Sequence, residues 1–307
     1  NLYLIKTIAF FLTFKKEVKN KTIWIFNSKF YLVPKIFKGW FSLYDCIDYL
    51  SSIDSIEDRL KKDDEKKLIN QADIVSTNSP SLYRLKKNLH PQVFQVPQGC
   101  NINLFLKIKN QPLPEGLKKI SPPRIGFVGN INFRLDFDLI KGLVLNNSDW
   151  SFVFVGPIMN DPKQDKIVNL NKNLGELQKI KNIYFLGRKS KKQLVAYIDN
   201  LDIGVIPYDI KQAFNLYCYP MKVFEYFARG KPIVSTPIES LIPLQPYVTI
   251  ARDTKEFSEK ISKILKAGWP EKYKKEQRRL AIANSWQAKI EKISQILKKE
   301  FPDKFND

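Results

Sequence analysis

Short apolar runs alternate with longer polar, helix-forming stretches along almost the whole chain, which is the pattern of strands alternating with helices. Residues 22–27 (TIWIFN) and 40–44 (WFSLY) are the first two predicted strands, 72–80 a third that ends in a polar turn, and 93–96 a fourth. Between them, 51–70 reads as a charged helix with acids early and lysines late, an order that suits the helix dipole, and 81–89 as another helix. From residue 124 the pattern sharpens. Strands are predicted at 124–129 (RIGFVG), 150–156 (WSFVFVG), 182–187 (NIYFLG), 202–207 (DIGVIP) and 232–236 (PIVST), with a late strand at 247–251 and a helix at 254–267. Runs that are β-branched and apolar on both faces belong to central parallel strands. The alternation predicts a doubly wound parallel α/β sheet, whose ligands collect outside the carboxyl ends of the strands.

The stretch 219–236 (YPMKVFEYFARGKPIVST) concentrates the candidate chemistry. Pro220 suits a first helical position, Val223, Phe224, Phe227 and Ala228 form an apolar face, and Gly230 ends the helix as a left-handed C′ residue. Lys222 and Glu225 lie three residues apart and share a face near the N-terminus, where a cation and free N–H groups would seat a phosphate. One turn on, the carboxylate would accept bonds from two neighbouring hydroxyls, as on a ribose. The same spacing also fits an ordinary surface ion pair. Gly129 ends the 124–128 strand and lets backbone N–H groups approach an anion, and Arg134 follows within a turn; a solvated helix-start arginine is its alternative reading. Asp45 and Asp48 follow the second predicted strand at its mouth, where they either face a ligand or cap the next helix.

Composition narrows the chemistry. The chain has 307 residues, 44% hydrophobic, and a formal charge of +20 spread along its length. That charge favours an anionic partner, nucleic acid or an acidic membrane surface, although a general lysine bias explains it equally. The aromatics sit in core-like strands rather than interleaved with an exposed basic stripe, which argues against a stacking platform for nucleic acid. Cys46, Cys100 and Cys218 have no paired spacing, so neither a disulfide framework nor a zinc site is expected, as suits a reducing cytoplasm. His90 is the only histidine, which removes a histidine-based triad or a histidine-ligated metal and leaves chemistry driven by positioning and charge. The opening apolar run, 2–14, is too short and is interrupted by Lys6, so it reads as a buried or amphipathic helix rather than a membrane span.

The 219–236 stretch closely resembles the nucleotide-sugar signature of GT-B glycosyltransferases of the family 4 group (group 1), P-x-K-x-x-E-Y-x-A-x-G-K-P-V-V. The run at 72–105 (ADIVSTNSP…VFQVPQGCNINLF) resembles the end of that family's N-terminal domain, 182–208 (NIYFLGRK…IDNLDIGVIPY) its base-side strand and the strand after it, and 285–290 (SWQAKI) its last helix. The resemblance implies a GT-B fold of two facing Rossmann-like doubly wound domains. The N-terminal one is short, so the chain is expected to be an N-terminally truncated fragment. It implies an acceptor-side domain over 1–106, a linker over 107–123 rich in proline, a donor domain over 124–270, and a helical segment, 271–307, crossing back, with Trp286 packed in that crossing. By resemblance Glu225 holds the donor ribose, Lys222 and Arg134 face the diphosphate, the Gly129 turn offers N–H groups, Gly187 and Arg188 frame the base, and Asp45 or Asp48 serves the acceptor. The implied activity is retaining hexosyl transfer from a nucleotide-diphosphate sugar to a glycan or lipid-linked acceptor for cell-surface polysaccharide, in the cytoplasm or at the inner membrane face. It needs no metal or other cofactor and no specific nucleic acid. Many members carry an acid eight positions before the ribose-binding Glu; Tyr217 stands there, which leaves a non-catalytic glycosyltransferase-like subunit as the alternative.

Overall fold

A computed structural model describes residues 21–49, 56–108, 111–159 and 166–305. The opening apolar run and the start of the first predicted charged helix lie outside the described residues. The chain divides into two compact units, one of residues 99–288 and one of residues up to 98 together with those from 289 onward.

The first unit is built on four parallel strands in the order β1 (Thr22–Ile25), β2 (Phe41–Cys46), β3 (Ile74–Thr77) and β4 (Val93–Gln95). Both faces of the sheet are covered, as its near-continuous apolar strands require. On one side Tyr44, Cys46 and Val75 pack with Leu68 and Ile69 of the Ile56–Ile69 helix. On the other, Phe41, Leu43 and Ile74 pack with Ile293 and Ile296 of the Trp286–Glu300 helix.

β2 runs two residues further than its hydrophobicity predicts, and this relocates Asp45. It stands inside the strand with no exposed surface rather than in a turn at the mouth. Its carboxylate accepts from Ser76 Oγ at 2.8 Å and Trp24 Nε1 at 3.2 Å, and pairs with the fully buried Lys289 ammonium at 2.7 Å. An acceptor-side role for Asp45 is thus corrected by its burial: the carboxylate serves the interior of this unit. Asp48, two residues past the strand, is exposed. A second buried pair, Lys86 Nζ to Glu65 Oε2 at 2.6 Å, lies in the same unit, with Tyr44 donating to Glu65 at 2.9 Å.

The second unit carries a six-stranded parallel sheet in the order β10-β9-β8-β5-β6-β7: β5 (Arg124–Val128), β6 (Ser151–Val155), β7 (Ile183–Phe185), β8 (Ile203–Ile206), β9 (Ile233–Ser235) and β10 (Thr249–Ile250). The chain fills the sheet outward from β5, first through β6 and β7 and then back through β8, so the strand order reverses between β5 and β8. Such a switch point opens a crevice at the carboxyl ends of the strands. At the opposite end of the sheet Arg229 forks onto Asp199 at 2.6 and 2.8 Å and donates to the carbonyls of Phe105 and Ile108, a bidentate geometry that fixes the chain entering this unit. Leu117 and Ile120, within the proline-rich stretch, are buried in the same core. Trp286 is 40% exposed, and its backbone N–H donates to Cys100 O at 3.2 Å.

Replacing Lys289 by Met should destabilise the protein by about 3 kcal/mol or more, because Asp45 is left as an uncompensated buried charge. The double variant Lys289→Met with Asp45→Asn should recover most of that loss in urea unfolding. Additive losses would mean that the pair does not act as a unit.

Candidate active site

The crevice between β5 and β8 is shaped by one phenol. The β5–β8 ladder covers only Ile125 and Gly126. At its end the Tyr226 hydroxyl accepts from Val128 N at 2.8 Å and donates to Gly126 O at 3.2 Å. Tyr226 lies in the Lys222–Ala228 helix, whose Val223, Phe224, Tyr226 and Phe227 are buried against the sheet. Gly230, at φ +63°, ends the helix as its sequence position predicts, with Lys231 N bonding back to Tyr226 O at 3.1 Å. The helix thereby docks as a rigid extension of β5 and presents Lys222 and Glu225 at the rim.

Gly129 follows β5 at φ +153°, a conformation side chains rarely adopt, and a Cβ there would stand 2.7 Å from Lys222 Nζ. Lys222 therefore rests directly against the glycine turn. Gly156, which ends β6, is equally constrained, since a Cβ would overlap the Gly129 carbonyl oxygen. Lys222 Nζ donates to the Tyr208 hydroxyl at 2.6 Å and sits 4.1 Å from the centre of the Phe127 ring. Its close partner is thus a neutral phenol rather than Glu225, which separates the two from the ordinary i,i+3 ion pair. The helix has seven residues and no side-chain N-cap. It contributes little macrodipole, and the positive charge at this rim belongs to the Lys222 side chain.

Glu225 is partly buried. Burial raises its carboxyl above the ordinary range, while Lys222 and Lys191 pull it back. Arg134 joins the rim through its backbone. Its carbonyl accepts from Asp209 N at 2.9 Å and from Asn215 Nδ2 at 3.0 Å, while Asn132 Oδ1 accepts from its N–H at 3.1 Å. The guanidinium lies 5.0 Å over the Phe214 ring. Asp136 caps the Phe137–Asn146 helix through Leu139 N at 2.9 Å. Gly187, at φ +65°, follows β7 and accepts from Gly156 N at 3.0 Å, which aligns its turn with those after β5 and β6; Arg188 beside it is exposed. The structure thus gathers Gly129, Lys222 and Glu225 at one point, ties Arg134 to it through residues 208–209, and sets Gly187 and Arg188 on an adjoining strand end. Asp45 and Asp48 belong to the other unit.

Sequence reasoning missed Tyr208, Phe127, Tyr226 and Asn215. An aromatic directly after Pro207 at the carboxyl end of a central strand was the available signal for Tyr208. Nothing local marks Asn215, whose amide bridges two carbonyls of segments about eighty residues apart in sequence.

Two Rossmann-like parallel sheets, the second with a switch point between β5 and β8, give the chain a GT-B fold. Residues 122–267, just under half of the chain, match the family described as Glycosyl transferases group 1. Among curated relatives, TuaH of Bacillus subtilis (strain 168), described as a teichuronic acid biosynthesis glycosyltransferase, is 28% identical over 280 residues, covering 86% of this chain and 68% of the relative. Among solved structures, the sucrose-phosphate synthase of Thermosynechococcus elongatus superposes with a TM-score of 0.75 at 17% identity, covering 98% of this chain and 78% of the other. Anabaena HepE, solved in complex with UDP, superposes with a TM-score of 0.71 at 14% identity, covering 91% and 79%. These structural likenesses establish the fold. No described helix is long and apolar enough to cross a membrane.

The raised Glu225 carboxyl has a consequence for stability. A carboxyl whose folded pKa lies above its unfolded value contributes stability that is fully present below the unfolded pKa and lost as pH rises through the folded one. Glu225→Gln is therefore expected to raise the melting temperature of the ligand-free protein at about pH 7. The gain should shrink as pH falls toward the ordinary carboxyl value of 4.5. Thermal unfolding across that range checks this, and a gain that does not depend on pH would contradict it.

Proposed function

We propose that the chain transfers a hexosyl group, with retention, from a nucleoside-diphosphate sugar to a glycan or lipid-linked acceptor at the cytoplasmic face of the membrane, in the synthesis of a cell-surface polysaccharide. The observation that carries this reading is the Lys222 ammonium and the Glu225 carboxylate one helical turn apart, beside the Gly129 turn at the switch point. The donor belongs to the unit that contains them. Glu225 accepts the two ribose hydroxyls, the turn at Gly187 and Arg188 frames the base, and the Gly129 turn offers N–H groups to the diphosphate. The teichuronic acid description of TuaH supports a polysaccharide product, and the HepE structures in complex with UDP and with UDP-glucose make a uridine donor the first to test.

Transfer breaks the bond between the anomeric carbon of the sugar and the diphosphate oxygen, and the bonding pair leaves with the diphosphate. Lys222 and Arg134 meet that charge with positive groups already in place, the preorganised stabilisation that often dominates catalysis. These side chains supply the charge, so the reaction as proposed requires no metal or other cofactor. The acceptor hydroxyl oxygen forms the new bond to the anomeric carbon, and its proton passes to the departing phosphate oxygen. Glu225 is committed to the ribose and Tyr217 offers no carboxylate, so retention comes from attack on the face that the diphosphate leaves. The exposed lysines of a chain with a net charge of +20 would favour an anionic membrane surface.

Calorimetric titration of the chain with UDP, GDP and ADP is expected to select one of the three. Glu225→Ala should weaken that one by about 2 kcal/mol, the size of a lost hydrogen bond to a charged group. A folded sample that binds none of them would remove the donor-site reading.

A further inference from the structure

Lys222 is held in a cage of aromatic and glycine groups that no reading of the signature includes. Its ammonium lies 4.1 Å from the centre of the Phe127 ring and 4.7 Å from that of Tyr208, with the Tyr208 hydroxyl at 2.6 Å. The two rings stand edge to face, 6.4 Å apart. Both are fixed from behind. Phe127 is fully buried in β5, while Tyr208, 6% exposed, follows β8 and pairs across to Leu135, with Asp136 N donating to Pro207 O at 2.9 Å. On the remaining side lies the Gly129 turn, where a Cβ would stand 2.7 Å from Lys222 Nζ.

We propose that Tyr208 is a positioning residue for the Lys222 ammonium, aiming it at the diphosphate of the donor; this rests on the reading of Lys222 as the cation that faces that diphosphate. A lysine side chain has four rotatable carbons and a point charge, so it does not orient itself. An acidic partner would hold it equally well but would neutralise it. A phenol and a ring face hold it by one hydrogen bond and by the ring quadrupole, and they leave its unit charge available to an anion. One of the three ammonium donors is used on Tyr208, which leaves the group able to donate toward a phosphate oxygen. The same segment also ties down the backbone of Arg134, because Asp209 N donates to Arg134 O at 2.9 Å. Residues 208–209 therefore hold Lys222 by its side chain and Arg134 by its backbone.

The test is a double-mutant cycle on the full chain, titrated with UDP, GDP and ADP and with the corresponding monophosphates UMP, GMP and AMP. Tyr208→Phe deletes one oxygen and keeps the ring, and circular dichroism checks its fold. It should weaken the preferred diphosphate by about tenfold, the size of one hydrogen bond to a charged group. The monophosphate should change by less than about twofold, because a groove that merely slackened would lose both alike. In a Lys222→Met background, Tyr208→Phe should add less than about twofold. The proposal is overturned if Tyr208→Phe has no effect, if mono- and diphosphate weaken equally, or if the loss is as large without the lysine as with it. If Lys222→Met itself leaves diphosphate binding intact, or if the unmodified chain binds no nucleotide, the reading of Lys222 has failed, and the proposal fails with it. Phe127→Leu, which removes the ring beneath the ammonium, supplies a second variant with the same expected signature.

Discussion

The hydroxyl of Tyr226 is the contact on which the rest of the site depends. Where β5 parts from β8, backbone groups of the innermost strand lose their sheet partners, and buried backbone groups without partners are costly. A phenol both accepts and donates, so a single side chain satisfies Val128 N and Gly126 O together. Those groups therefore keep partners where the two strands part. The same bond fixes the Lys222–Ala228 helix against β5, so Lys222 and Glu225 are positioned by the core of the sheet rather than by a loop. Gly129 completes the arrangement by allowing the chain to turn tightly under the ammonium.

Charge is managed in two ways in this molecule. Buried cations that hold the fold are neutralised by carboxylates: Lys289 by Asp45, Lys86 by Glu65 and Arg229 by Asp199. The cations at the crevice are in direct contact with neutral groups instead, Lys222 with Tyr208 and Phe127 and Arg134 with Phe214. A charge already neutralised has little left to offer a ligand, whereas one held by rings and hydroxyls keeps its field. The Glu225 carboxyl, raised by burial, is the complementary case: a group kept at some expense to stability, as binding residues often are.

One reading changed between sequence and structure for an instructive reason. Asp45 followed an apolar run that looked finished at Tyr44, and an acid at a strand end invites a functional role. The strand in fact continues, because a lysine more than two hundred residues away supplies the counter-charge that lets an aspartate remain inside it.

The sequence by itself determined the parallel α/β class, the strand positions of the second sheet and the Lys222 and Glu225 pair with its glycine stop. Those features are local: they follow from residue periodicity, β-branching and helix-end chemistry within a dozen positions. It also located the Gly129 and Gly187 turns, since a glycine at the end of a buried strand is visible in one dimension. Tertiary structure alone decided what each candidate touches. Lys222 meets Tyr208 across fourteen residues, Tyr226 meets Val128 across ninety-eight, and Asn215 meets Arg134 across eighty-one. Strand order sets those pairings, and strand order comes from which crossovers close over which faces. That is a property of the whole sheet, and no single segment encodes it.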